Sequence, residues 1–302
     1  MDTIIKQIEQ LKKEKEIAIL AHYYTDGQIQ ALADCVGDSY YLSKAATEIP
    51  QKTILFCGVT FMGESAKILN PGKTVIMPDS HADCPMAHMA DIGEIKAVRE
   101  KYEDVAVVCY VNSTAEIKAH SDVCVTSANA LKIVKALPNQ NIYFIPDANL
   151  GRYIANMVPE KNFILSDGFC HVHTSIKKEN IEKAKELHPE ALVLAHPECT
   201  WDVLEMADYI GSTSGIIDYA VRSDAETFII CTEMGILYEL ELKCPGKKFY
   251  SVGHRQFCPH MKRITPEQIL EQLKTASNTV ERNAQMHNDA NRALERMMVM
   301  SQ

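Results

Sequence analysis

Three runs of the 302-residue chain carry the same ordered set of residues, and this repetition constrains the fold more than any other feature. Ala18–Tyr24 (AILAHYY), Val107–Asn112 (VVCYVN) and Leu192–Glu198 (LVLAHPE) are short apolar runs that end in polar residues. Aligning Ala21, Cys109 and Ala195 gives steps of 88 and 86 residues, and Asp34, Asp122 and Asp208 repeat both steps. Five residues past each Asp stands a hydroxyl: Ser39, Ser127, Thr213. Gly63, Gly151 and Gly235 follow with steps of 88 and 84. PGK, PEK and PGK begin at Pro71, Pro159 and Pro245, and Cys84, Cys170 and Cys258 close each round. A general strand–helix rhythm would align apolar stretches without keeping Asp, hydroxyl, Gly, Pro and Cys in step. The chain therefore reads as one unit of about 86 residues used three times.

Within a unit the expected order is helix, strand, helix, strand, helix, strand, loop. In the first, Ile4, Ile5, Ile8 and Leu11 share one helical face, and Ile17–Leu20 is a short apolar strand. Ser39–Thr47 reads as a helix and Thr53–Cys57 as a strand. A helix around Met62–Leu69 is closed by Asn70-Pro71-Gly72, and Lys73–Met77 is the third strand. Continuous apolar strands alternating with helices indicate parallel sheets covered on both faces. The fold expected is α/β: three α/β/α sandwich units about a pseudo-threefold axis, each with its own core. Their boundaries are 1–88, 89–174 and 175–264. A helical segment over 265–302, opening on Thr265-Pro266-Glu267, should pack back as a closing helix.

Ligands of open parallel sheets bind outside the carboxyl ends of the strands. The first-strand ends carry His22 and Tyr24, then Tyr110 and Asn112, then His196 and Glu198. Ser39, Ser127 and Thr213 stand at the starts of the next helices, where free N–H groups favour an anion. The three cysteines follow the last strands. With these ends turned inward, a single cavity collects them all.

The formal charge of −9 argues against a nucleic-acid partner, while local dipoles still allow anionic small substrates. The N-terminal stretch is charged, without the apolar core of a secretory signal, and no apolar run approaches the ~20 residues of a bilayer span. A cytoplasmic protein with no membrane partner is expected. Ten cysteines in a reducing compartment argue against disulfides. Cys57, Cys109, Cys124 and Cys231 lie in apolar runs as small hydrophobes. Three cysteines converging from three units point to a metal centre. Structural zinc asks for four ligands in close pairs. A [4Fe–4S] cluster on three thiolates leaves one iron open as a Lewis acid, as dehydration chemistry needs. The residues alone do not choose iron over zinc, and leave open an iron–sulfur hydro-lyase acting on a dicarboxylate or a non-catalytic zinc-stapled protein.

AHYY, GDS, DCPM, YVNS, TSAN, GFCHVH, HPEC, GSTSG and Cys258-Pro259 together resemble the quinolinate synthases over nearly the whole chain. The resemblance implies a triplicated α/β/α fold with a central [4Fe–4S] cluster held by Cys84, Cys170 and Cys258. It implies condensation of iminosuccinate with dihydroxyacetone phosphate to quinolinate in NAD biosynthesis, coupled functionally to an L-aspartate oxidase. It also implies a substrate site of His22, Ser39, Tyr110, Val111, Asn112, Ser127, His196, Pro197, Glu198, Ser212 and Thr213. Tyr24, His196 and Glu198 are the candidate catalytic groups, with Tyr24 and Glu198 as proton carriers. Some relatives have a C-x2-C-x2-C run at the last ligand. Here Met261 stands at the next expected position, so a thiol–disulfide switch is not expected.

Overall fold

A computed structural model describes residues 2–253, 256–281 and 283–302. Its strands form three four-stranded sheets, all parallel. The first holds β1 (Ile17–His22), β2 (Cys35–Gly37), β3 (Thr53–Cys57) and β4 (Thr74–Ile76). The second holds β5 (Val105–Tyr110), β6 (Val123–Val125), β7 (Asn141–Ile145) and β8 (Asn162–Leu165). The third holds β9 (Leu192–Ala195), β10 (Tyr209–Ile210), β11 (Thr227–Cys231) and β12 (Lys248–Ser251). The spatial orders are β2-β1-β3-β4, β6-β5-β7-β8 and β10-β9-β11-β12, one arrangement used three times. Burial explains the composition: every residue of β1, β5 and β11 is buried, so these strands show no polar alternation.

Each sheet has four strands where the sequence indicates three. The additional edge strands β2, β6 and β10 are two or three residues long, too short to show periodicity. The repeated aspartates hold them. Asp34 Oδ2 accepts from Ile19 N at 2.8 Å, Asp122 Oδ2 from Val107 N at 2.7 Å, and Asp208 Oδ2 from Val193 N at 2.8 Å. The Asp N–H groups return the bond to the carbonyls of the same three residues. These carboxylates sit before the edge strands and clamp them to the sheet, away from the strand ends that face the cavity.

The repeated lysines have an equally uniform task. Lys73 Nζ donates to Ala46 O and Ile49 O, Lys161 Nζ to Leu137 O and Asn139 O, and Lys247 Nζ to Ala220 O and Ser223 O. Each ammonium thus closes the C-terminus of a preceding helix, where unpaired carbonyls and the helix dipole favour a cation. The glycine register breaks in the third unit. Gly63 and Gly151 lie inside helices, where a Cβ would come within 2.3 Å of Met77 Sδ and 2.7 Å of Leu165 Cδ2 respectively. Gly235 instead caps the N-terminus of the helix Ile236–Lys243, consistent with its step of 84.

The expectation of one core per unit needs correction. A single apolar cluster runs from Leu20, Phe56 and Val75 through Val107, Val125 and Phe144, so the first two sheets share it. The third sheet has separate clusters on its two faces. The closing segment is two helices, not one. Pro266–Thr275 opens on the expected Thr265 cap, here a capping box with Gln268, and ends at Ala276 with φ 49°. Its Ile269 and Leu273 pack beneath the first helix, Asp2–Glu14, beside Ile8. Ala284–Met300 then places Ala290, Ala293, Leu294 and Met297 in the core shared by the first two sheets.

Candidate active site

The carboxyl ends of all three sheets meet at one cavity. His22, Tyr24, Ser39, Cys84, Tyr110 and Asn112 line it, and so do Ser127, Cys170, His196, Glu198, Thr213 and Cys258. Val111, Pro197 and Ser212 stand outside the lining. Val111 is in the shared core, and the Ser212 hydroxyl caps the helix Thr213–Arg222 by accepting from Gly215 N at 3.1 Å. Ser39 and Thr213 are the first residues of ten-residue helices, with unpaired amides toward the cavity end. Ser127 departs from this pattern: its helix, Ala130–Ala136, starts three residues later.

The matched histidines share a lock. Nδ1 of His22 accepts from Tyr24 N at 3.1 Å, and Nδ1 of His196 accepts from Glu198 N at 3.3 Å. The proton is therefore on Nε2 in both, and His196 Nε2 meets Ser127 Oγ at 3.1 Å. Burial pushes both imidazoles down to about 3, against the opposing pull of Glu198. They are neutral hydrogen-bond donors, not the cations that anionic substrates first bring to mind.

Glu198 faces a residue absent from the sequence-derived set. Its Oε2 lies 2.6 Å from Nδ1 of His173, whose ring stacks on His196 with centroids 4.6 Å apart. His173 Nε2 contacts Thr232 Oγ1 at 2.9 Å, Thr232 Oγ1 contacts the Tyr24 hydroxyl at 2.9 Å, and that hydroxyl contacts Thr213 Oγ1 at 2.9 Å. Burial alone would raise the Glu198 carboxyl. His173, His196 and the Tyr110 hydroxyl outweigh it and hold the group at about 2. The carboxylate is thus an acceptor, so His173 Nδ1 donates. Thr232 Oγ1 thus links His173 Nε2 to the Tyr24 hydroxyl. Burial and the Glu198 charge push the Tyr24 hydroxyl well up, so it rests protonated at the cavity end of this chain. His173 was legible as the second His of GFCHVH. Thr232, directly after β11, left no signal.

The three cysteines behave as one group. Burial pushes the Cys84 thiol up to about 12, with Cys258 the next cause, and raises Cys170 and Cys258 as well. Cys84 and Cys170 are the N-caps of the short helical turns Pro85–His88 and His171–Thr174, and Cys258 stands three residues before the turn Met261–Arg263. Backbone N–H groups of those turns point at the sulfurs: Met86 and Ala87 at Cys84, His173 at Cys170, and His260 and Met261 at Cys258. Cys170, His173 and Glu198 also offer donor atoms within 4.8 Å of one another. Two ligands of one zinc at 2.0–2.1 Å stand about 3.3 Å apart in a tetrahedron. The 2.6 Å between His173 and Glu198 is a hydrogen bond.

Residues 6–299 match the family model described as quinolinate synthetase A protein. The chain belongs to that family. It is 52% identical over 295 residues to a quinolinate synthase of Fusobacterium nucleatum, covering 98% of each chain. It is 48% identical to that of Caldicellulosiruptor bescii, over 99% of each, and 51% identical to that of Clostridioides difficile, over 91% of this chain and 90% of that one. The family resemblance read from the motifs therefore holds along essentially the whole chain. No helix among the described residues is long and apolar enough to cross a membrane.

Proposed function

We propose that the protein is a quinolinate synthase, a transferase that condenses iminosuccinate with dihydroxyacetone phosphate, releasing phosphate and two waters. The observation that carries this reading is the buried hydrogen-bonded chain from Glu198 through His173 and Thr232 to Tyr24, in the same cavity as three converging thiols. Cys84, Cys170 and Cys258 would hold a [4Fe–4S] cluster. Three half-buried thiolates crowded together call for a compensating cation, and the helical-turn amides aimed at the sulfurs favour their charged form. When bound, such a cluster supplies a Lewis acid that helps a substrate oxygen depart as water.

The protein's own groups do the rest. Free amides at the starts of Ser39–Glu48 and Thr213–Arg222 receive carboxylate and phosphate oxygens without a P-loop. Neutral His22 and His196 donate from Nε2 without neutralising the substrate carboxylates. Asn112 Oδ1 and Thr126 Oγ1 line the cavity, are buried and have no partner among the described residues, as groups awaiting a polar ligand would be. Tyr24 gives or takes the proton at its hydroxyl. Thr232 and His173 pass that proton along, and Glu198 orients His173 and stabilises its cationic form. The units 1–88, 89–174 and 175–264 with the segment 265–302, a cytoplasmic setting and supply of iminosuccinate by an L-aspartate oxidase complete the reading.

Anaerobically prepared protein should carry iron and sulfide and form quinolinate and phosphate in equal amounts from the two substrates. Iron-loaded protein that releases no quinolinate would overturn the reading in favour of another dehydration, and zinc in place of iron would overturn it altogether.

A further inference from the structure

The three units do not close the start of the helix after the edge strand in the same way. Asp38, Thr126 and Ser212 share one register, with steps of 88 and 86, each immediately before a cavity hydroxyl. In the first and third units this residue is a helix cap. Asp38 Oδ1 accepts from Tyr41 N at 3.0 Å, and Ser212 Oγ from Gly215 N at 3.1 Å. Thr126 carries a hydroxyl able to do the same for Asn129, three residues on. There the bond runs the other way. Asn129 Oδ1 accepts from Thr126 N at 2.6 Å, while Asn129 N goes to Thr126 O at 3.2 Å. Thr126 lines the cavity, and its Oγ1 is buried without a partner among the described residues.

A contact from the far end of the chain fixes the reversal. Asn129 Nδ2 donates to Ser301 Oγ at 2.9 Å, and Ser301 Oγ donates to Met297 O at 2.7 Å. With the Ser301 proton used on Met297, Asn129 must turn its NH2 to Ser301 and its oxygen to Thr126 N. Ser301 caps the C-terminus of the helix Ala284–Met300, whose Arg296 Nη1 also donates to Asp122 O at 3.3 Å. Asp122 precedes β6 and Thr126 follows it, so one helix holds both ends of that strand. Holding the loop alone would be served by the ordinary cap of the other units, which satisfies the side-chain oxygen. A buried hydroxyl without a partner is costly, and a ligand that accepts its proton removes the cost. The N–H and C=O of Thr126 are already engaged, so only the hydroxyl has a bond to give. It stands next to Ser127, in a cavity where neutral His22 and His196 are donors, and such a wall suits an anionic oxygen.

We infer that Thr126 is a further substrate-binding residue, whose hydroxyl, released by the reversed cap, donates to a carboxylate or phosphate oxygen of the substrate. Asn129 and Ser301 are its positioning residues. The inference rests on the function proposed above for the identity of the ligands.

The test is calorimetric titration of the anaerobically prepared protein with quinolinate, whose only anionic groups are carboxylates, and separately with dihydroxyacetone phosphate, whose only anionic group is a phosphate. Thr126→Val keeps the shape and removes the hydroxyl, whereas Thr126→Ser keeps the hydroxyl. Thr126→Val should weaken one of the two ligands by ~10-fold or more, as loss of a hydrogen bond to a charged group does, and Thr126→Ser should bind it nearly as wild type. Weaker quinolinate assigns the hydroxyl to a carboxylate, and weaker dihydroxyacetone phosphate assigns it to the phosphate. Because the hydroxyl has no internal partner, the melting temperature of Thr126→Val without ligand should not fall. Ser301→Ala should weaken the same ligand and add little to Thr126→Val, since the two act through one hydroxyl. Unchanged affinity for both ligands in Thr126→Val overturns the inference, and a lowered melting temperature beside it makes the hydroxyl structural. Unchanged affinity in Ser301→Ala overturns the positioning role. If wild-type protein still forms quinolinate in either case, the proposed function stands. Wild-type protein that forms no quinolinate and binds neither ligand overturns that function, and the inference with it.

Discussion

Nδ1 of His173 and Oε2 of Glu198 lie 2.6 Å apart, both side chains all but sealed from solvent. The contact joins the turn after the second sheet to the end of the first strand of the third. It makes Glu198 a partner of a ring instead of a base facing substrate directly. A single carboxylate at a strand end otherwise lined with neutral groups works against anionic ligands, and its position on His173 gives it a reason to be there.

Glu198→Gln retains size and an acceptor oxygen while removing the charge that holds the His173 proton. Turnover should fall at least ~10²-fold, the usual span of general acid–base catalysis, with iron content and substrate affinity retained. Near-normal kcat in the Gln variant would show that the proton leaves Tyr24 by another route.

Thr232→Val removes one hydroxyl from the middle of the chain and leaves its volume almost unchanged. The kcat loss should again be ~10²-fold with little change in KM. Residues that act as a unit are not additive, so Thr232→Val combined with Glu198→Gln should cost scarcely more than either alone. Multiplicative losses in the double variant would mean that the two residues act separately.

Replacing Cys84, Cys170 or Cys258 by Ala should abolish iron binding in a chain that still folds. Cys57→Ala or Cys231→Ala should keep the iron and lose some stability, since both thiols are buried in apolar clusters. Iron and sulfide analysis beside circular dichroism checks both statements. A Cys170→Ala protein with full iron contradicts the assignment.

Acid should unfold the protein earlier than its carboxylates alone require. His22 and His196 are held at about 3 when folded and return to about 6.5 when unfolded. Between those values the unfolded chain binds more protons, so stability is full above pH 6.5 and falls as pH drops. The loss reaches about 2 kcal/mol per imidazole near pH 5. Glu198 adds a loss of the same sign between about 4.5 and 2. Thermal melts followed over this range should show the slope, and His22→Asn should make it shallower.

Asp122→Ala strips the wholly buried Val107 N–H of its side-chain acceptor and loosens β6 from β5. A charge-assisted bond of this kind contributes roughly 1.5–3 kcal/mol, which chemical denaturation can read. Iron content should stay unchanged, because the clamp sits away from the cavity.

By itself the sequence determined the repeated architecture and the cavity. Apolar runs such as Thr53–Cys57 match β3 to the residue, and the register of strand ends, hydroxyls and cysteines identified groups that line one space. Those features are local, or repeat at fixed spacing, so they can be seen in one dimension. Tertiary structure alone decided the rest. The edge strands β2, β6 and β10 are too short for any period and exist through pairing to β1, β5 and β9 and through an aspartate clamp. The Asp and Lys registers were visible but not their purpose, since both bond to backbone that no pattern reveals. His173 and Thr232 meet their partners across 25 to 208 residues. Whether such residues touch depends on how the ends of separate sheets are set against one another, and packing of the assembled core, not the spacing of letters, fixes that.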